Sequence, residues 1–442
     1  MTRPLRLLLG LAACAVVACA CQRTAPPPAE VPGLDAAVRE YVRLVVALGE
    51  HDADSLDFYA GPPEWVDDIR RTTPALVSIR ASALQLTGRF EHDPWPPGDR
   101  TRVTRLARNL RALAGRVDVL TDRRLTFDEE STAFFGVTLP PGDEPTDATG
   151  PVLAELERLL PGRGSLADRY ARFDAAFIVP RDRLPDVMSR AVEVCRARTI
   201  AHLSLPAGEG VSLEYVGNRP WSAFSRYEGH DRSRIEINAD FPLTVDRALH
   251  LACHEGYPGH HVRNTLLDER FAQRLGRAEF LVQAQFSPDT LISEGSAGIA
   301  VDVALPGDDR VTVERDELCP LAGIRGRDVA TYVQVQRLVD RLTMAQAHVA
   351  RAYLDGRLDF VRAGAALSRH ALMAHPEATL KYAGQFRSAV LTYTLGRDLA
   401  RAFIDARVRS AGDAASRWNA FEQLTVGDPD EVFRELATLN AR

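Results

Sequence analysis

The sequence predicts a mainly α fold with one small β-sheet, and three observations predict it. Long stretches on both sides of the midpoint space their apolar residues three and four apart, the period of an amphipathic helix. Pro and Gly clusters such as "PPGD", "LPPGDEPTDATGP" and "LPGRGS" punctuate those stretches. Only the residues from 206 to 242 alternate apolar with polar positions in the manner of strands. At 442 residues, with 45% hydrophobic and 26% charged, the chain can bury one large core or two.

The first thirty residues read as a lipoprotein signal peptide and tether. Arg3 and Arg6 precede the apolar run "LLLGLAACAVVA", which has the length of a signal peptide and is short for a permanent span. "VVAC", ending at Cys19, is similar to a bacterial lipoprotein box, whose cysteine is lipidated; Cys14 and Cys21 are rival positions. "QRTAPPPAE" follows as a Pro-rich spacer. The expected location is the bacterial cell envelope, on the periplasmic or extracellular face, with the lipid anchor as the only membrane contact.

From residue 31 to 205 the segments "LDAAVREYVRLVVALGE", "PPEWVDDIRRTTPALVSIRASALQL" and "RTRVTRLARNLRALAGRVDVL" carry the helical period, so this region is expected to form an N-terminal helical lobe. "VSLEYV", "AFSRYE" and "RIEIN" then read as short strands, and helices resume to the C-terminus. Residues 206–442 are expected to form the second, catalytic lobe, unless 31–442 is one compact unit. No repeat of fixed period runs through the chain. A formal net charge of −6, without a basic block, argues against nucleic-acid binding. Outside the signal lie Cys195, Cys253 and Cys319, an odd number from which no disulfide framework can be read. Cys253 falls on an apolar helical face and is expected to be a small buried hydrophobe.

The segment "LTVDRALHLACHEGYPGHH" carries the chemistry. Thr244 is a helix N-cap with Asp246 in the first turn. Val245, Ala248, Leu249, Ala252 and Cys253 trace a buried stripe, which turns His254 to the opposite side, toward a cleft or solvent. A lone histidine there would be an ordinary surface residue. Here His250, His254, His260 and His261, four of the eleven histidines in the chain, fall within twelve residues beside Glu255.

Zinc peptidases place two histidines one helical turn apart with a glutamate general base beside the first. His260 comes two positions too late for a regular helix, but Pro258 cannot continue one and Gly259 permits an irregular backbone. An outward bulge at Pro258 and Gly259 would bring His260 to the position of an i+4 ligand. His250 and His254, at true i, i+4 spacing, are the rival pair.

A hydrolytic zinc site takes three protein ligands and leaves a position open. Glu294, in "LISEGSAGIAVDVAL", is the candidate third ligand, and the small residues after it suit a close approach to the metal helix. Tyr393 lies in an apolar helical setting from which a hydroxyl could donate to an oxyanion.

Taken together, "INADFPLTVDRALHLACHEGYPGHHVRN", "EGSA" at Glu294 and "YTLG" at Tyr393 to Gly396 resemble the signature of the bacterial family known as domain of unknown function 885. "RRLTFDEESTAFFGV" extends the resemblance to most of the mature chain. Ser296 stands where the family often has Trp, and the Gly-Gln element that precedes the Tyr is displaced. The resemblance implies a helical fold related to gluzincin zinc metallopeptidases, with one Zn²⁺ held by two His and one Glu. It also implies that a strand at "RIEIN" pairs with extended substrate.

The expected function is a zinc-dependent hydrolase, most directly a metallopeptidase acting on short peptides. His254, His260 and Glu294 would hold the ion, with His261 an alternative ligand or a supporting residue. Glu255 would act as base and Tyr393 as oxyanion donor. The alternatives are a hydrolase of non-peptide amides or esters, and a non-catalytic envelope protein with a structural metal.

Overall fold

In the computed structural model, which describes residues 33–142, 146–219, 221–408 and 413–441, helices dominate as the periodicity predicts. The signal and Cys19 lie outside the described residues. Among those described, no helix is long and apolar enough to cross a membrane.

The amphipathic pattern of α1 (Leu34–His51) buries Ala37, Tyr41, Leu44, Val45 and Leu48 on one face. That face packs with α2 (Leu76–His92) and α3 (Arg100–Leu120) around a core that includes Val38, Leu86, Leu106 and Leu110. A short strand, β1 (Leu56–Tyr59), pairs antiparallel with β5 (Val282–Ala284). Val282 and Ala284 thereby join this N-terminal core. The sequence offers no sign of β1, because its partner lies more than two hundred residues away and four residues are too few to show a period.

A second and larger core gathers Phe127, Phe134, Val187, Leu249, Leu291 and Phe421. It takes in α4 (Leu184–Ile200), α5 (Val245–Leu251), α6 (His260–Leu267), α7 (Pro288–Gly298), α8 (Pro376–Phe386) and α9 (Val390–Asp405). Arg105 of α3 makes a bidentate ion pair with Asp289 in the first turn of α7, at 2.7 and 3.0 Å, and Asn109 adds a bond of 2.8 Å. Both charges are buried, so breaking one side would strand the other. The pair holds the helix that carries Glu294 against the N-terminal bundle.

The three strands read between 206 and 242 form one sheet in the order β2 (Gly210–Val216), β4 (Arg232–Asn238), β3 (Ala223–Gly229). The β3–β4 turn carries positive φ at both His230 and Asp231, 51° and 60°, as a two-residue hairpin turn of matching twist requires. "RIEIN" is the central strand, bonded to β2 on one side and β3 on the other. The expectation that it pairs with substrate is therefore corrected, since neither of its edges is free. The strand with a free edge beside the cleft is β3.

Cys195 of α4 and Cys253 form a buried disulfide with Cα atoms 5.5 Å apart. This corrects the reading of Cys253 as a simple buried hydrophobe. The two partners lie 58 residues apart in sequence and meet only because α4 packs across the helix that carries the histidines.

Candidate metal centre

Thr244 caps α5 by accepting the backbone N–H of Arg247 at 3.3 Å. Val245, Ala248, Leu249, Ala252 and Cys253 are all fully buried, and His254 lies on the opposite side, lining the cleft. Beyond Leu251 the chain departs from the expected bulge. It widens to a π-helical turn over Ala252–Gly256, stops at Tyr257 to Gly259 with a cis bond before Pro258, and restarts as α6 at His260. The reason is that Pro258 has no N–H with which to continue the ladder. Gly259 N–H donates instead to the carbonyl of Cys253 at 3.0 Å. A Cβ on Gly259 would sit 1.8 Å from the carbonyl oxygen of His254, so the turn closes this tightly only with glycine.

The restart aims His260 back at His254. Their Nε2 atoms are 3.2 Å apart, and Glu294 Oε2 lies 3.3 Å from the first and 3.4 Å from the second. In a tetrahedral zinc site with bonds of 2.0–2.1 Å, neighbouring ligand atoms are about 3.3–3.4 Å apart. The donor set therefore fits a single zinc ion without rearrangement. Ser293 Oγ, 3.1 Å from His260 Nδ1, fixes that ring from behind. Glu294 Oε2 makes no well-formed hydrogen bond despite its two close nitrogens, as expected of lone pairs converging on a point rather than on a proton. Burial works against the carboxylate of Glu294, but the two imidazoles overcome it and hold its pKa well below the usual range.

The remaining candidates are distributed around this point. Glu255, 5% exposed, has its carboxylate within 4.8 Å of the donor nitrogens of both His254 and His260. His250 lines the same cleft, its ring centre 5.6 Å from that of His254, and burial holds it neutral. It stands outside the donor cluster. His261 is fully buried and turned away: Nδ1 meets Ser233 Oγ at 2.9 Å and Nε2 meets Glu209 Oε2 at 2.9 Å. Adjacent histidines thus divide the work, one facing the cleft and one anchoring the turn to the sheet.

Glu209 is a residue that no sequence pattern marks. Besides His261 it receives the hydroxyl of Tyr257 and the guanidinium of Arg196. Burial opposes its charge, and these three donors together pull its pKa from 4.5 down to about 2. A depressed carboxylate pKa stabilises the fold above the unfolded-state value and loses that contribution as pH falls through the folded one. Stability is therefore expected to decline between about pH 4.5 and 2. A Glu209→Gln variant should show a flatter acid-unfolding profile over that window, followed by circular dichroism; an unchanged slope would refute the role.

Tyr393 donates to Glu294 Oε1 at 3.1 Å and receives the hydroxyl of Tyr382 at 3.3 Å. Burial and then the charge of Glu294 keep its phenol protonated far above neutral pH. The Glu294 helix packs against the histidine-bearing segments, as the small residues suggested, but the glycines after Glu294 face a further helix. A Cβ on Gly295 would lie 2.5 Å from the carbonyl of Gly396, so it is α9 that comes into contact and delivers Tyr393. Asp57 of β1 also reaches the cleft, with burial raising its pKa to about 7 and Gln283 Nε2 donating to it at 2.9 Å. It was invisible in sequence because β1 was.

His254, Glu255, His260, Glu294, Tyr393 and Asp57 line a cleft of about 610 Å³, with Trp221, Phe224 and Phe241 in its wall. No protein-family model matches the sequence, and no curated protein matches it. Among solved structures, the chain resembles "the putative lipoprotein from Colwellia psychrerythraea" with a TM-score of 0.51 and 14% identity, over 85% of this chain and 72% of that one. A "putative lipoprotein of unknown function from Shewanella oneidensis" gives 0.47 and 11%, over 86% and 76%. An M32 carboxypeptidase from Deinococcus radiodurans gives 0.39 and 13%, over 91% and 93%. Only the first exceeds 0.5, and at its identity it establishes the fold alone.

Proposed function

We propose that the chain is a zinc-dependent hydrolase, most directly a metallopeptidase that cleaves short peptides. The observation that carries this reading is the meeting of His254 Nε2, His260 Nε2 and Glu294 Oε2 at 3.2 to 3.4 Å. These residues would hold one zinc ion, which would supply Lewis acidity when bound. Glu255 is left over as the acid beside the site. It accepts the proton of the attacking water and returns it to the leaving amine. Tyr393, protonated and 3.1 Å from Glu294, is within reach of the oxyanion that forms at the scissile carbonyl. His261 acts through the backbone, holding the turn that presents His260.

The edge of β3 favours a peptide over other amides or esters. Asn238 N–H donates to the Ser222 carbonyl at 2.9 Å, so the alternation of an antiparallel ladder turns the backbone groups of Ala223 and Ser225 to the outer edge. Both residues line the cleft, where an extended substrate can add as a strand. Membership of the domain of unknown function 885 family and a lipid anchor on Cys19, facing the envelope, belong to the same proposal. The signal-like N-terminus supports them, together with a structural neighbour named as a lipoprotein.

The purified protein is expected to bind one zinc and to digest members of a peptide library. His254→Ala, His260→Ala and Glu294→Ala should each weaken zinc binding beyond the roughly 10–100-fold that loss of an outer partner costs, while His250→Ala should not. Retention of zinc by His260→Ala with loss in His250→Ala would move the site to the rival pair. A protein that takes up no zinc at all would end the proposal.

A further inference from the structure

Arg247 is an exposed cation that neither the fold nor the proposed chemistry uses. It precedes His254 by seven residues, and at about 100° per residue positions 247, 250 and 254 fall on one face of the helix. All three line the cleft. The guanidinium donates through Nη2 to Ser222 Oγ at 2.9 Å. Among the described residues no carboxylate pairs with it: Glu255, Asp246 and Asp340 act on it only through space. The other arginine of the cleft, Arg397, is buried and bound to the Asp340 carbonyl and Thr343 Oγ1. Arg247 therefore keeps most of its five donors, in the planar fork that matches a carboxylate, for something that enters from outside.

Apart from Glu255 and Glu294 at the metal centre, the acids of the cleft are already occupied. Asp57 takes Gln283, Asp174 takes Gln336, Asp246 takes Arg310 and Asp340 takes Arg397. A substrate ammonium would have to compete with these partners, whereas a substrate carboxylate would meet an uncommitted cation.

We infer that Arg247 binds the free carboxylate at the C-terminus of a peptide substrate, so that the enzyme releases short carboxyl-terminal fragments. This rests on the peptidase reading above. Seven helical residues rise about 10 Å, and an extended peptide advances about 3.3 Å per residue. The fragment beyond the scissile bond is therefore on the order of two or three residues long. Trp221, beside the Ser222 that steadies Arg247, and Phe241 supply apolar wall at that end.

The test compares acetyl-Ala-Ala-Phe-Phe with its C-terminal amide. Calorimetry on Glu255→Gln protein, metal-free and zinc-loaded, should show the acid binding about 10–100-fold more tightly than the amide, the range for a charge-assisted contact. Adding Arg247→Gln should collapse that ratio to within about threefold, and Arg247→Lys should restore part of it. In the unsubstituted enzyme the same preference should appear mainly in KM, as for uniform binding. Equal binding of acid and amide, or a ratio that Arg247→Gln leaves intact, overturns the assignment, and the first of these results needs no variant at position 247 to fold. A preserved acid preference with no cleavage of either peptide would instead sink the peptidase reading and leave the carboxylate site standing. Cleavage without any preference would do the reverse.

Discussion

Glu255→Gln is expected to leave one zinc bound and the fold intact while lowering kcat on peptides by about 10³-fold, within the range for loss of a general base. Glutamine preserves the shape of the side chain and cannot accept a proton. Glu255 is buried beside the donors at 5% exposure but, unlike Glu294, does not complete the set of nitrogens and oxygen 3.2 to 3.4 Å apart. Zinc content by emission spectroscopy and turnover on the same preparation check the two halves separately. If activity survives, the base lies elsewhere. If zinc is lost while Glu294→Gln retains it, the two glutamates have exchanged roles.

The second large effect is expected at a residue with no functional group. Gly259→Ala should abolish high-affinity zinc binding and cost several kcal/mol of stability, on the order of 3–5. The new Cβ would meet the carbonyl oxygens of His254 and Cys253 at 1.8 and 2.5 Å, and both are backbone atoms that cannot rotate aside. The turn would have to open, and opening it withdraws His260 from His254. Gly256→Ala, three residues earlier, is the control. Its Cβ would meet only Ile235 Cδ1 at 3.5 Å, an ordinary contact, so near-normal zinc affinity and melting temperature are expected. A Gly259→Ala protein that melts and binds zinc like the unsubstituted one would disprove the geometry of the turn.

What was legible in the sequence depended on periodicity and local chemistry. The five apolar positions from Val245 to Cys253 announced which side of the helix is buried, and hence where His254 points. Thr244 announced where that helix begins. The alternating segments located β2, β3 and β4, but not their order, because a strand's own pattern reports its two faces and not its neighbours. That is why the pattern of "RIEIN" does not reveal that it is the centre of the sheet, with no edge left for a substrate. The cysteine count gave no hint of the Cys195–Cys253 bond, since spacing carries no information about which helices cross.

The choice between His260 and His261 is the clearest division between the two levels. From the residues alone one could establish that a proline and a glycine interrupt the helix after Glu255, that two histidines follow the interruption, and that either could return toward His254 unless His250 is its partner. Which one returns was decided by the restart of α6 at His260 and by a partner far away in sequence. Glu209, held by Arg196 and Tyr257 at the edge of the sheet, captures His261 and leaves His260 to the cleft. Local pattern can specify the residue types that make a site because helix geometry and backbone chemistry act over a few residues. The pairing of donors depends on contacts across some fifty to a hundred residues of chain, from His261 to Glu209 and from Tyr393 to Glu294, and such contacts exist only once the cores have packed.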